Sequence, residues 1–244
     1  MSVLETMSSR RTLRSSSGKK KGNNDDAEAE SCEEVDLRLP MFPELVAGEI
    51  SSEEFLAAAE GVVGMLDYFG KLFMPVKCDM RGNVNKLVKR MNVDKKNHDT
   101  LQKMLLLEKD KTDSPVAIDA LMWLRRGLHM IQLFFEHMVN DFHAEQQTED
   151  LVANLKKSYE LSLEPYHGYM IQQLFGVSFE GKIKLLSRMI PTRTQIFRAL
   201  ANGCDVEQRI VIRNVDRFCK RLRANVTNLE AFYDEHNLEN NYKV

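Results

Sequence analysis

Tryptophan appears once and cysteine four times in 244 residues. Cys32, Cys78, Cys204 and Cys219 never form a C-x-x-C pair. That excludes the usual zinc-ribbon and dithiol patterns and reads as reduced thiols of a cytosolic protein. An excess of one charge is missing too: 34 Lys and Arg stand against 36 Asp and Glu, a net charge of −2. Nucleic-acid binding wants a clustered basic excess, so nucleic acid is not expected as a partner. No apolar run is long enough to span a bilayer. The amino terminus lacks the basic-then-apolar pattern of a secretory signal. The expected location is the cytosol. Strand-period alternation and long internal repeats are also absent. What remains is an all-α chain.

Residues 1–38 are expected to be a disordered tail, and 39–244 a single domain. The tail is poor in core-forming residues up to about Val35. A basic block (Arg10, Arg11, Arg14, Lys19, Lys20, Lys21) precedes an acidic one (Asp25, Asp26, Glu28, Glu30, Glu33, Glu34). Phosphates on Ser15, Ser16 and Ser17 would cancel the basic charge, which suits a membrane or partner tether. The acidic block nearly neutralises the basic one, which suits a plain solvated tail. Helical periodicity begins at Phe55, with Gly70 as a stop and Pro75 as a break before the next helix. Asp94–Asn97 is a polar break before a helix over Thr100–Glu108. Ser114-Pro115 reads as N-cap and first helical residue of a helix reaching Met138. Thr148 is expected to open a helix through Leu163 that kinks at Pro165 and resumes at Met170. Asp205 is expected to cap a last helix ending near His236.

Within the second helical stretch, Asp79, Asn83 and Lys86 stand at i, i+4 and i+7, one above another on one face. A carboxylate accepts hydrogen bonds, an ammonium donates them, and an amide does both. Such a stripe suits a ligand covered in hydroxyls, and equally a solvated helix face. The single Trp sits in Ala120-Leu121-Met122-Trp123-Leu124-Arg125-Arg126-Gly127-Leu128, where it reads alone as core. Arg125-Arg126 reads as a phosphate site or a solvated face. A third island is Glu164-Pro165-Tyr166-His167-Gly168-Tyr169. His167 reads as an interior histidine; no second ligand at metal spacing accompanies it, so no metal is expected.

Taken in order, these islands and the final Asn241-Tyr242-Lys243-Val244 resemble the glycolipid transfer protein family, over roughly Phe55 to Val244. The resemblance implies a two-layer all-helical fold that holds one lipid, its head at the surface and its chains in an apolar pocket. Asp79, Asn83 and Lys86 would hydrogen-bond the sugar, Trp123 would carry the sugar ring, and Tyr242 would add a head-group contact. Asp79 and His167 would bind the ceramide amide, and Arg126, at a position basic throughout the family, would have a structural or head-group-proximal role. Phe55, Phe69, Phe73, Val76, Leu121, Phe134, Leu174 and Phe175 would line the chain pocket, and Val244 would anchor the carboxyl terminus. Tyr169 stands where the founding member has its membrane-docking Trp, so docking would pass through an interfacial Tyr. The family's ceramide-1-phosphate branch puts Lys at the position of Asn83 and Arg at that of Trp123. A phosphate wants fixed positive charge, so Asn83 and Trp123 place this chain on the glycosphingolipid side. Asp119, one turn before Trp123, departs from both branches, and Met65–Phe69 departs from the founder's phenylalanine pair. The implied activity is intermembrane lipid transfer by a monomer without cofactor, not catalysis. Alternatives are ceramide-1-phosphate transfer, a glycolipid sensor acting through a protein partner, an acid–base enzyme using Asp79 and His167, and an interaction protein that no longer binds lipid.

Overall fold

The computed structural model describes residues 37–110, 115–168 and 189–240. These contain α1 (Ser52–Met65), two 3₁₀ turns (Leu66–Phe69 and Lys71–Phe73), α2 (Met74–Val93), α3 (Leu101–Lys109) and α4 (Val116–His143). Then follow α5 (Val152–Ser162), a 3₁₀ turn (Glu164–Tyr166), α6 (Arg193–Leu200) and α7 (Gln208–Glu235). Among the described residues the only strand-like pairings are isolated bridges, Val46 with Glu49 and Ser51 with Thr100. The all-helical expectation therefore holds.

Side chains at the helix starts explain the boundaries, and several differ from expectation. Ser51 caps α1, its hydroxyl accepting from Glu54 N at 3.4 Å. Gly70 ends the first 3₁₀ turn with φ 79°, a conformation glycine adopts without steric cost. Pro75 does not break the chain. It lies in the first turn of α2, where a missing N–H removes no helical hydrogen bond. The helix expected over Thr100–Glu108 is α3, and Thr100 stands just before it as its N-cap. Ser114 lies outside the described residues, and what holds the start of α4 is remote in sequence. The Glu108 carboxylate accepts from Ala117 N at 2.6 Å and Ile118 N at 2.9 Å. It thereby satisfies two donors that a helix start leaves open, with charge of the sign the dipole favours. Thr148 does not open a helix. Its hydroxyl accepts from Asp150 N at 2.9 Å, and the Asp150 side chain accepts from Val152 N at 2.9 Å, so the turn delays α5. α5 ends at Ser162, and Pro165 belongs to a 3₁₀ turn after which His167 is extended, with φ −93° and ψ 138°. The resumption at Met170 lies outside the described residues. Asp205 is exposed beside Arg198, and the N-cap position of α7 is Glu207.

Helix α4 is the centre of the molecule, packed against α2, α5 and α7, while α1 packs on α2. Its buried side chains run round most of its circumference, which is what a central helix requires. Gly127 sets how closely α2 approaches, because a Cβ there would meet Met80 Cγ at 3.3 Å. A chain of edge-on and tilted rings threads the core. Phe55 meets Phe42 at 5.4 Å, Phe42 meets Phe218 at 6.2 Å, and Phe218 meets Phe135 at 5.8 Å. Phe135 meets Phe69 at 5.9 Å, and Phe69 meets Phe134 at 5.5 Å and Phe73 at 5.1 Å. Burying each ring contributes about 1.5–3 kcal/mol.

Candidate functional site

On α2 the expected ladder is formed. Asn83 Nδ2 donates to Asp79 Oδ2 at 3.2 Å, and Lys86 Nζ donates to Asn83 Oδ1 at 3.2 Å. Asn83 is 3% exposed, whereas Asp79 and Lys86 reach solvent. Although Asp79 is exposed as a residue, the protein around it withdraws enough water to raise its carboxyl pKa. That desolvation outweighs the Lys86 charge and the Asn83 hydrogen bond, which both act to lower it. The buried amide thus bridges an exposed cation and a partly desolvated carboxylate.

Trp123 is half-buried on α4, one turn before Gly127. Because Met80 of α2 packs on Gly127, with Asp79 beside it and Asn83 within a turn, the ladder and Trp123 flank one helix crossing. The His167 ring stacks parallel to Trp123 at 6.4 Å and 18°, and Tyr166 meets Trp123 edge-on at 6.5 Å. His167 Nδ1 and Tyr159 Oη are 3.0 Å apart. Burial lowers the His167 pKa, so the imidazole is neutral near pH 7. Burial, then the Glu164 charge, pushes Tyr159 up to about 12, so the phenol keeps its proton.

Beneath this platform lies Arg126, only 2% exposed. Its guanidinium is 4.8 Å from the Trp123 ring centre and 3.5 Å from that of Tyr166. Its Nη2 donates to Glu239 Oε1 at 2.6 Å and to Asn240 O at 2.7 Å. Arg125 donates to Glu230 at 3.0 Å and to the other Glu239 oxygen at 2.8 Å, and lies 5.3 Å from the Tyr233 ring centre. Asn240 N donates to Met122 Sδ at 3.4 Å. The segment after α7 is therefore tied across α4 directly under Trp123. The solvated-face reading of Arg125-Arg126 is wrong for both residues, because each is buried and paired with acids that arrive from α7 and just beyond it.

Of the chain-contact candidates, Phe55, Phe69, Phe73, Leu121 and Phe134 are buried, and Val76 packs half-buried against the core. Phe55 belongs to the Phe42–Phe218 end of the ring chain, away from Phe73. Tyr169, Leu174, Phe175, Tyr242 and Val244 lie outside the described residues. Asp119 sits in the first turn of α4, where the dipole favours an acid. Within Met65–Phe69, Tyr68 accepts from Arg38 at 2.9 Å and Asp67 pairs with Lys77. Among the described residues no group of three His, Cys, Asp or Glu could hold a metal ion, and no helix is long and apolar enough to cross a membrane. The sequence reading missed Tyr159, Tyr166 and Glu239 as supports. Tyr159 ends up beside His167 only because the chain turns after α5, so helical spacing gave no signal for the pair, and Glu239 left none either.

A family model described as Glycolipid transfer protein matches residues 50–202. The chain belongs to the glycolipid transfer protein family. That span includes the α2 ladder, Trp123 and His167. The Glycolipid transfer protein of Danio rerio is 28% identical over 201 residues, covering 80% of this chain and 92% of the relative. Human Pleckstrin homology domain-containing family A member 8 is 28% identical over 204 residues, covering 80% of this chain but 37% of that protein. Among solved structures, the glycolipid transfer protein fold of FAPP2, described as selecting simple glycosphingolipids, matches with a TM-score of 0.70 and 26% identity. That match covers 87% of this chain and 98% of the other. Mouse ceramide-1-phosphate transfer protein matches with a TM-score of 0.65 at 18% identity, over 80% of this chain and 91% of the other. Glycolipid transfer proteins and phosphate-lipid carriers thus share this backbone, and head-group choice has to be argued from side chains.

Proposed function

We propose that this protein binds one glycosphingolipid and carries it between membranes through water, without chemistry on the cargo. The observation that carries this reading is the placement of the Asp79–Asn83–Lys86 ladder and the Trp123–His167 stack on the two helices that cross at Met80 and Gly127. A sugar offers hydroxyls to the first and an apolar C–H face to the second. Asp79 accepts from hydroxyls, Asn83 both accepts from and donates to them, Lys86 donates, and Asp79 also accepts from the ceramide amide N–H. A neutral His167 that accepts the Tyr159 proton through Nδ1 carries its own proton on Nε2, the donor an amide carbonyl needs. Tyr242 adds a head-group contact and Tyr169 meets the membrane interface. Phe69, Phe73, Val76, Leu121 and Phe134, with Phe55, Leu174 and Phe175, receive the hydrocarbon chains. Keeping those chains from water is worth about 0.8 kcal/mol per CH₂. The protein works as a monomer in the cytosol, touching membranes peripherally.

One observation favours a second reading, ceramide-1-phosphate transfer. Arg126 Nε and Nη1 are buried without a hydrogen-bond partner, and a phosphate is a natural acceptor for them. Against it, the same guanidinium is already matched by Glu239. The test is vesicle-to-vesicle transfer of fluorescent galactosylceramide and ceramide-1-phosphate side by side, with Trp123→Ala as control. The glycolipid reading requires transfer of the first alone and its loss in the variant. Transfer of only the phosphate lipid overturns it.

A further inference from the structure

The charges of α7 are arranged against its own dipole. The stretch from Arg209 to Arg223 carries Arg209, Arg213, Arg217, Lys220, Arg221 and Arg223 with Asp216 as its only acid, and the last turn carries Asp234 and Glu235. A helix dipole favours the reverse order, and the whole chain has a net charge of −2, so neither helix stability nor bulk composition explains a concentrated basic stripe. Arg213, Arg217 and Arg221 repeat every four residues and share one face with Lys220. Together with Asp216 they line an open pocket of about 390 Å³. Arg213 and Arg217 are exposed and form no ion pair among the described residues. Among the described residues the charged groups of Lys220 and Arg221 are engaged only by Asp216 and the exposed Glu44, surface pairs that a better anion displaces readily.

This stripe is far from the lipid site. Helices α4 and α7 run antiparallel, Ile118 meeting Tyr233 and Glu136 meeting Arg223. An adjoining pocket confirms the register, being lined by Glu136, Asn140, Asp216, Lys220 and Arg223. The basic end of α7 therefore lies about 25 Å along α4 from Trp123, at a rise of about 1.5 Å per residue.

We infer that the basic face of α7, centred on Arg213 and Arg217, is a docking surface for the phosphate-bearing head groups of an anionic membrane. Guanidinium forks match phosphate oxygens, and a short stripe of cations suits a few head groups rather than a nucleic-acid backbone. Contact here leaves the Trp123 end of the molecule clear of the same bilayer patch.

The experiment is sedimentation of the full chain with phosphatidylcholine vesicles, with and without phosphatidylserine and a phosphoinositide, none containing glycolipid. Wild type should bind only the anionic vesicles and release with added salt. Arg213→Gln/Arg217→Gln should bind roughly thirty-fold more weakly, as expected for two cations lost near an anionic surface. The variant should keep its helical circular dichroism and its affinity for galactosylceramide in solution, which separates this outcome from failure of the lipid site. Equal vesicle binding by variant and wild type overturns the inference, as does wild-type indifference to anionic lipid. Binding of polyglutamate without binding of vesicles also overturns it and assigns the face to an acidic polypeptide.

Discussion

The guanidinium of Arg126 stacks 3.5 Å from the centre of the Tyr166 ring while the same group holds Glu239 at 2.6 Å. One cation thus fastens the turn after α5 and the segment after α7 to the helix that bears Trp123. Replacing Arg126 by Leu should lower stability by about 2–3 kcal/mol. That is less than the usual cost of breaking a buried pair, because Glu239 keeps Arg125 and is partly exposed. Urea unfolding of wild type and variant measures it. Arg126→Lys should recover part of the stability but little transfer, since an ammonium neither stacks flat nor bridges.

Asp79→Asn separates function from stability. The raised pKa means that the fold disfavours the Asp79 carboxylate relative to the unfolded chain. That cost is fully present above the folded pKa and disappears as pH falls below the unfolded value. The variant should therefore be as stable as wild type or slightly more so at pH 7. The two should converge in acid, and the variant should lose galactosylceramide transfer. Loss of stability at pH 7 would contradict this account.

His167 behaves oppositely. Its lowered pKa makes the folded state resist protonation, so its contribution is present above about pH 6.5, the unfolded value, and is lost as pH falls through the folded pKa. An NMR titration should find it below the free-histidine value. Tyr159→Phe should leave it low, because burial rather than the phenol is the cause. The same variant should cost about 1 kcal/mol in stability and weaken lipid binding, because the imidazole tautomer is no longer held.

Glu108→Ala should destabilise the protein by about 1–2 kcal/mol, the usual cost of losing a helix N-cap. Glu108→Gln should recover part of that loss, since one acceptor oxygen remains without the charge. Thermal or urea unfolding of the two variants distinguishes the contributions.

The sequence was most legible where one element carries the whole signal. Periodicity gave the helices, and the spacing of Asp79, Asn83 and Lys86 gave a ladder whose hydrogen bonds the structure contains. Legibility failed where a partner lies on another element. Glu108 caps a helix that begins after it, and Glu239 is more than a hundred residues from the arginines it pairs. Neither relation leaves a local pattern. Thr148 and Asp205 show the reverse error, because a good capping residue also makes a good turn, and only the surrounding packing decides which is formed. Trp123 was readable as a platform only through its family resemblance, since half-burial beside Leu121 and Met122 looks like ordinary core.

The crossing of α2 over α4 rests on Met80 against Gly127, a contact that involves none of the head-group side chains. Recognition and scaffold are consequently separable. Asn83 and Trp123 sit on different helices, and neither forms the Met80–Gly127 contact that sets the gap between them. On the proposed function, a bulkier residue at Gly127, which has to displace the Met80 side chain, should impair every cargo alike, whereas changes at Asn83 and Trp123 should alter the choice of cargo. Such an arrangement lets one backbone serve lipids of different charge through a pair of independent substitutions.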